Sequence, residues 1–405
     1  MKSTDNHAQG PLAGLRVIEL GGFIAGPFCG QLLADFGADV IKVEPPGTGD
    51  PMRQWGIHEG HSLRWAVIGR NKRSITLDLR QAEGQKLTRR LIKTADVLLE
   101  NFRPGALEKW NLDPEELRRE QPDLIVARVS AFGQVGPYRD RPGFGSVAES
   151  MGGLRNLTGY PDRPPTRVGV SIGDSLAGLF AAFGVVSALY NRERKEGLCH
   201  GQTIDAAITD SVLGILESAI SEYSATKSIR QRTGATLPGV APSNLYPTSD
   251  NSWVIIAGNS DSVFRRLAEG MGQPELGSDP RFATHQARGR NQEELDDLIA
   301  RWSVTHERDE LLALLNRHEV PSGPVYDASD IARDPHYRER GAVVDVETEE
   351  FGTLSMQGVA PKLSSTPGSI RWSGVPLGQH NAEILGGILG LSSDDMAKLN
   401  REGVI

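Results

Sequence analysis

The sequence predicts an α/β protein built on a doubly wound parallel sheet, with a smaller second domain in the middle of the chain. Three observations point there. Short apolar runs alternate with helical patterns from Leu15 to Val129. The first run ends in a Gly-rich turn, Gly21-Gly22-Phe23-Ile24-Ala25-Gly26-Pro27, that opens into a helical pattern, as the first unit of such a sheet does. From about Arg230 to Tyr326 the pattern changes to amphipathic helices separated by turns.

The elements follow in order. Leu15–Leu20 reads as a strand, Phe28–Phe36 as a helix closed by Gly37, and Val40–Val43 as the second strand. Ser74–Leu79 is a strand, Ala82–Lys93 a helix and Val97–Glu100 a strand, one right-handed crossover unit. Pro114–Gln121 is a short helix with Asp113 as its cap, and Leu124–Val129 another strand. Phe132–Gly159 is a long Gly/Pro/Arg stretch, and loops of that length in compact enzymes are usually functional. A helix rich in small apolar residues follows Asp174; Gln202–Ala206 reads as a strand and Ala207–Tyr223 as a helix. In the middle region Ser252–Ala257 is a strand, and Phe264–Met271, Asn291–Thr305 and Arg308–Arg317 are amphipathic helices. Strands return at Ala342–Glu347 and Thr353–Val359, then a last helix, Asn381–Gly387, and a polar tail. The domains are expected at 1–225, 230–326 and 328–405, the last returning to the first.

Composition narrows the function. A formal net charge of -8 argues against a general nucleic-acid binder, while leaving room for a local basic groove around one phosphorylated ligand. Cys29 and Cys199 fit neither a metal-ligand spacing nor a disulfide framework. Met1–Gly10 is polar and no apolar run reaches membrane-spanning length, so a cytoplasmic protein without membrane or nucleic-acid partners is expected. The histidines are scattered; His58 and His61 have no third ligand nearby, so no metal site is expected.

The turn after the first strand lacks the spacing of a dinucleotide fingerprint, and no Gly-Lys-Ser/Thr follows it, so it is not a P-loop. Basic candidates for phosphate are Arg70-Asn71-Lys72-Arg73, Arg89-Arg90, Lys42, Arg103 and Lys109. Gly169-Val170-Ser171-Ile172-Gly173 fits a nucleophile elbow by its letters, but short patterns arise easily in a chain with 46 glycines. Asp174, between Gly173 and Ser175, reads either as a helix cap or as a carboxylate nucleophile; spacing does not choose.

An ordered set of motifs does choose. Ala25-Gly26-Pro27, Phe36-Gly37-Ala38-Asp39-Val40-Ile41-Lys42-Val43-Glu44, Asn71-Lys72-Arg73-Ser74, Glu100-Asn101-Phe102-Arg103-Pro104-Gly105, Gly173-Asp174-Ser175 and Gly378-Gln379-His380 occur in this order. Together they resemble the family III CoA-transferases, the group with formyl-CoA:oxalate and carnitine CoA-transferases. The resemblance implies a Rossmann-like large domain with an inserted smaller α+β domain, in an interlocked homodimer or a dimer with a paralogous subunit. It implies Asp174 as the nucleophile, forming an aspartyl anhydride and then an aspartyl-CoA thioester. It places CoA contacts on Ile24, Ala25, Leu77, Asp78, Leu79, Arg80, Asn101, Phe102, Arg103, Lys109, Pro142, Gly143, Phe144 and Gly145. CoA thioesters are then substrates, with no permanently bound cofactor.

Arg141–Ser146, Thr158–Pro165, Gly169–Ala177 and Arg232–Ala235 are similar to the subgroup that uses succinyl-CoA and C4–C5 dicarboxylates such as malate, citramalate or itaconate. A second carboxylate on such acids wants an arginine, with Arg53, Arg155, Arg167 and Arg232 as candidates. The same-fold alternative, an α-methylacyl-CoA racemase, needs a histidine base in the loop where this chain has Phe144.

Overall fold

The computed structural model describes residues 10–194 and 200–405; residues 1–9 and Cys199 lie outside the described residues. The main sheet has six parallel strands: β1 (Arg16–Glu19), β2 (Asp39–Glu44), β3 (Lys72–Thr76), β4 (Val97–Glu100), β5 (Ile125–Ser130) and β6 (Thr203–Ala207). Their order is β3-β2-β1-β4-β5-β6, so chain direction across the sheet reverses between β1 and β4. Ile18 stands opposite Ile41 on one side and Leu98 on the other.

Alternate residues of each strand feed two cores. Val17, Leu99, Ile125, Ala127 and Val129 face one side, Ile18, Ile41, Ile75, Leu98 and Val126 the other. Both faces are dry, as a parallel sheet requires. The first core is closed by α1 (Ala25–Asp35) and by the helix Ile172–Glu193. The second is closed by Leu87 and Leu91, and by Ile384, Leu385, Leu399 and Val404 from the C-terminal stretch. That burial is why the end of the chain belongs with its beginning.

The 22-residue helix Ile172–Glu193 is apolar and long enough to cross a membrane. Its small residues have a packing reason: a Cβ on Gly178 would sit 2.7 Å from the carbonyl oxygen of Ala25, so only glycine lets the two helices approach this closely. Its other face leaves Leu179, Phe180, Phe183, Val186 and Tyr190 exposed.

The chain divides into two compact units: residues up to Leu154, Val168–Ile220 and Pro335–Ile405 form one, and Arg155–Arg167 with Ser221–Asp334 the other. The second unit has a three-stranded antiparallel sheet, with Trp253–Ala257 between Ser243–Pro247 and Ser322–Pro324. Its core is Tyr246, Val254, Ile256, Phe264, Phe282, Leu295 and Leu311. Its boundaries differ from the expected 230–326. Arg232 donates to the carbonyls of Asn156, Tyr160 and Arg163, each at 3.3 Å, and Gly234 N–H to Gly159 O at 2.9 Å, tying 155–167 to this unit.

Other expectations are corrected by local physics. Helix α1 begins at Ala25 rather than Phe28, because Pro27 is tolerated in a first turn. The helix expected over Ala207–Tyr223 is two, Ile208–Leu213 and Ala219–Thr226, separated by Gly214 and a left-handed Glu217. The polar tail carries a helix, Ser393–Arg401, started by a Ser392/Asp395 capping box and anchored by Leu399. The strand Ser243–Pro247 escapes the pattern because it offers only Leu245 and Tyr246 as apolar residues. The long Gly/Pro/Arg stretch contains two short helices, Gly145–Met151 and Leu154–Leu157.

Candidate active site

In open α/β sheets, ligands bind beyond the carboxyl ends of the strands where strand order reverses. Here that place lies between the loop after β1, Gly21–Ile24, and the loop after β4, Asn101–Arg103. A cavity of about 780 Å³ opens there, within the range of small-ligand sites. Ile24, Ala25, Leu77, Asp78, Leu79 and Arg80 line it, as do Asn101, Phe102 and Arg103. The far wall is Gly143, Phe144 and Gly145, with Asp174 beside them. Two expected residues fall elsewhere. Lys109 lines a neighbouring recess, and Pro142 lines neither cavity.

The β1 loop is held in an unusual shape, with Gly21 at φ 99° and Phe23 at φ 64°. A Cβ on Gly21 would meet Asn101 Oδ1 at 2.0 Å. Asn101 clamps Gly22 from both sides, accepting from its N–H at 3.0 Å and donating to its carbonyl at 2.8 Å. Asp50 accepts from the N–H of Phe23 (3.1 Å) and of Met52 (2.8 Å). Beneath the loop Lys42 donates to Gly21 O at 3.0 Å and pairs with Glu19 and Asp50, both at 2.9 Å. Lys72 pairs with Glu19 at 2.8 Å and donates to the Pro27 carbonyl at 2.6 Å.

Glu19, Lys42, Asp50 and Lys72 are buried, which bears on their titration. Burial alone opposes the Lys42 charge, but Asp50, Glu19 and Glu44 outweigh it and raise its pKa. Burial would raise Asp50, yet Lys42 and the Met52 and Phe23 N–H groups bring its carboxyl below the ordinary value. Glu100, also buried, is pushed up to about 7 despite Arg128 at 2.7 Å. Burial raises the Cys29 thiol as well, with Glu19 adding to it, so Cys29 is no thiolate nucleophile.

The basic runs read as phosphate candidates are therefore corrected. Lys42 and Lys72 belong to the buried network, Arg70 pairs with buried Asp35 at 2.6 Å, and Arg73 pairs with Asp39 and Glu383. Arg89 pairs with Glu120, and Arg90 donates to Leu389 O. Arg53, a candidate for the remote carboxylate, forks onto Glu44 at 2.7 and 2.8 Å and donates to Val375 O. Arg155, Arg167 and Arg232 lie in the second unit.

Asp174 is the third residue of its helix, and Ser171 rather than Asp174 is the N-cap. Its carboxylate lies against Gly145, the first residue of the helix Gly145–Met151. A Cβ there would fall 2.1 Å from Oδ2 and 2.7 Å from Oδ1. Nearby, α1 starts with neither a side-chain cap nor an acidic residue in its first turn. Its N-terminal residues Ile24 and Ala25 line the cavity, so a helix end carrying positive dipole faces the site. The rings of Trp55, Phe23 and Phe144 follow one another at 5.7 and 6.0 Å, and Phe23 and Phe144 line the cavity with Asp174. His200, the histidine weighed for a hydrolase triad with Ser171, pairs instead with Asp123 at 2.7 Å, before β6 and β5 at the amino edge of the sheet. Among the described residues no cluster of metal-ligating side chains occurs.

A carboxylate in a largely apolar cavity, between an uncapped helix end and a glycine contact, is suited to nucleophilic acyl chemistry. The sequence profile of CoA-transferase family III matches residues 12–381, and the chain belongs to that family; it is a CoA-transferase. It is 56% identical, over 98% of both chains, to succinyl-CoA–D-citramalate CoA-transferase of Chloroflexus aurantiacus. It is 40% identical, again over 98% of both, to the beta subunit of succinyl-CoA–L-malate CoA-transferase of the same organism. A crystal structure of a CaiB/BaiF family protein from Brucella suis superposes with TM-score 0.83 at 38% identity, covering 94% of this chain and all of that one.

The sequence left the Lys42–Glu19–Asp50 network and the Gly145 contact unread. Lys42 and Glu44 sit inside a recognised motif, and their charges set among Val40, Ile41 and Val43 were the available signal.

Proposed function

We propose that this enzyme moves CoA from succinyl-CoA to a C4–C5 dicarboxylate, citramalate being the first candidate, with Asp174 as nucleophile. Asp174 attacks the thioester carbonyl; the C–S bond breaks, leaving a mixed anhydride and CoA thiolate. The thiolate attacks the aspartyl carbonyl, forms an aspartyl-CoA thioester and releases succinate. The acceptor carboxylate attacks that thioester to give a second anhydride, and the thiolate then takes the acceptor acyl group, regenerating Asp174. Thioester is exchanged for thioester, so no proton or energy source is consumed.

The chain's own residues serve each step. The N–H groups of Ala25 and Gly26 are the free donors at the α1 start, since Pro27 has none; losing one oxyanion donor typically costs about 2.7–4 kcal/mol. Phe23 and Phe144 give the cavity an apolar lining around the anhydride, where fewer waters compete for it. Ile24, Leu77–Arg80, Asn101–Arg103 and Gly143–Gly145 provide the contacts for the thioester's long arm, while Lys109 and Pro142 lie further out. The observation that carries this reading is the Asp174 carboxylate set against Gly145 inside the cavity. The 56% identity to a D-citramalate enzyme supports the acceptor class. Phe144 at the wall offers no second base, which weighs against a racemase.

The exposed apolar face of the Asp174 helix supports assembly with a second chain, in the interlocked manner of the resemblance. That chain is a copy of this one or a paralogue, and a cytoplasmic location fits CoA-thioester substrates. The test is an acceptor panel with succinyl-CoA, read by mass spectrometry of the CoA esters. Citramalate, malate or itaconate is expected to accept CoA; acceptance of monocarboxylates alone contradicts the reading.

A further inference from the structure

Glu100 is a buried acid that the proposed transfer does not use. It ends β4 at the carboxyl edge of the sheet, and the residues after it line the cavity. Its register partner on β5 is Arg128, and the register partner of Arg128 on β6 is Asp205. Arg128 Nε donates to Glu100 Oε1 at 2.7 Å, and its Nη1 to Glu108 Oε1 of the helix Ala106–Lys109 at 3.1 Å. The second oxygen of Glu108 is buried and finds no hydrogen-bond partner among the described residues. On the β1 side the residue after the Glu19–Leu99 pair is Leu20, which is apolar. One guanidinium therefore serves three carboxylates, and Glu100 is the most deeply buried of them. Burial, with the Glu108 charge adding to it, outweighs Arg128 and pushes Glu100 up to about 7.

Both oxygens of Glu100 are in use. Oε1 accepts from Arg128, and Oε2 accepts from the N–H of Phe102 at 2.8 Å. That second bond turns the chain at the end of the strand and so fixes the residues that follow. Asn101 clamps Gly22 in the loop that leads into α1. Phe102 and Arg103 line the cavity, and the Phe102 ring stands edge-on to Trp110 at 4.9 Å. A proton on either Glu100 oxygen puts a donor where a donor already stands and costs one of the two bonds. Folding responds in the opposite sense: with its pKa raised, Glu100 lowers stability as pH rises from 4.5 to about 7. The fold thus carries an ionised Glu100 at a cost that an apolar residue of similar size would not have. We propose that Glu100 is a positioning residue for CoA transfer: its carboxylate, shared between Arg128 and the Phe102 N–H, holds the Asn101–Arg103 wall in its substrate-binding shape, and proton uptake releases that wall. This rests on the CoA-thioester reading of the main cavity. Glu100 does not line the cavity; it acts through Asn101, Phe102 and Arg103, which do. Substrate then binds only the fraction of enzyme whose wall is formed. The thioester KM follows the ionised fraction, while kcat, read once bound substrate has re-formed the wall, changes little.

The test is the succinyl-CoA KM of wild type, Glu100→Gln and Glu108→Gln between pH 6 and pH 8. A group titrating at about 7 is roughly one-tenth ionised one unit below, so the wild-type KM should rise about tenfold more than that of Glu100→Gln from pH 8 to pH 6. The wild-type kcat should change within about twofold over the same range. Glu100→Gln keeps an acceptor oxygen for the Phe102 N–H and takes up no proton. The phosphates of CoA titrate alike in all three proteins, so the difference between them carries the result. Glu108→Gln leaves Glu100 in place and removes the like charge, so its inflection should move to lower pH. Free CoA binding, read by titration calorimetry at the same pH values, should follow the same pattern with no acyl transfer involved. An equal rise of KM in wild type and Glu100→Gln overturns the proposal, as does an inflection that stays in place in Glu108→Gln. CoA binding that follows this pattern without transfer to any acid would instead refute the reaction proposed for Asp174 and leave the role of Glu100 standing.

Discussion

The two walls of the cavity are built in opposite ways. The β1 loop, Gly21–Ile24, rests on Lys42, Glu19, Asp50 and Lys72, all buried, and is clamped by Asn101. The facing wall, from Arg139 to Gly145, is mostly exposed and leans on short turn hydrogen bonds, with Phe144 67% exposed. One wall is joined to the sheet core through charges that water does not reach; the other can adjust without disturbing that core. Donors meant for a developing oxyanion gain most from a fixed position, whereas a wall that must admit a long substrate gains from freedom.

That contrast can be broken from either side. The largest effect is expected at Lys42→Met, which takes the paired cation from buried Asp50 and leaves Glu19 with Lys72 alone; removing one member of a buried pair costs about 3–5 kcal/mol. Urea unfolding should register that loss together with a fall in activity. Stability equal to wild type would mean the charges do not support the wall. Gly145→Ala probes the other side. The added methyl would displace the Asp174 carboxylate, and a shift near 1 Å can cost about 100-fold in kcat. Because Gly145 opens a surface helix, unfolding stability should stay within about 1 kcal/mol. An unaffected kcat would show that the glycine contact plays no part.

The smallest effect is on pH dependence. The folded pKa of Asp50 is depressed, so it contributes stability above its ordinary value of 3.8 that is lost as pH falls through the folded pKa. Asp50→Asn should therefore be less stable than wild type at neutral pH and lose less on acidification below 3.8. Parallel acid limbs for the two proteins would place the acid sensitivity elsewhere.

Much of this was legible in the sequence because sheet strands declare themselves. Val17-Ile18 and Val97-Leu98-Leu99 are apolar on both faces, and a glycine turn after the first strand marks a ligand loop. The ordered motifs named the family and pointed to Asp174. What stayed hidden depends on distant parts meeting. Lys42 looks like a phosphate ligand until Glu19, 23 residues away, and Asp50 are seen to neutralise it. Gly145 is one glycine among many until its Cα is found against a carboxylate 29 positions later in the chain. The helix Ser393–Arg401 was missed because a capping box and one buried leucine define it, not a long apolar stripe.

The central claim is that the Asp174 carboxyl is acylated during turnover. It is tested most directly by incubating the enzyme with succinyl-CoA, quenching with hydroxylamine or borohydride, and sequencing the peptide around Gly173–Ser175 by mass spectrometry. The account predicts a hydroxamate or an alcohol at Asp174 that needs the donor, together with a complete loss of transfer in Asp174→Ala that leaves CoA binding largely intact. An unmodified Asp174 during sustained turnover, or transfer persisting in the alanine variant, would contradict it.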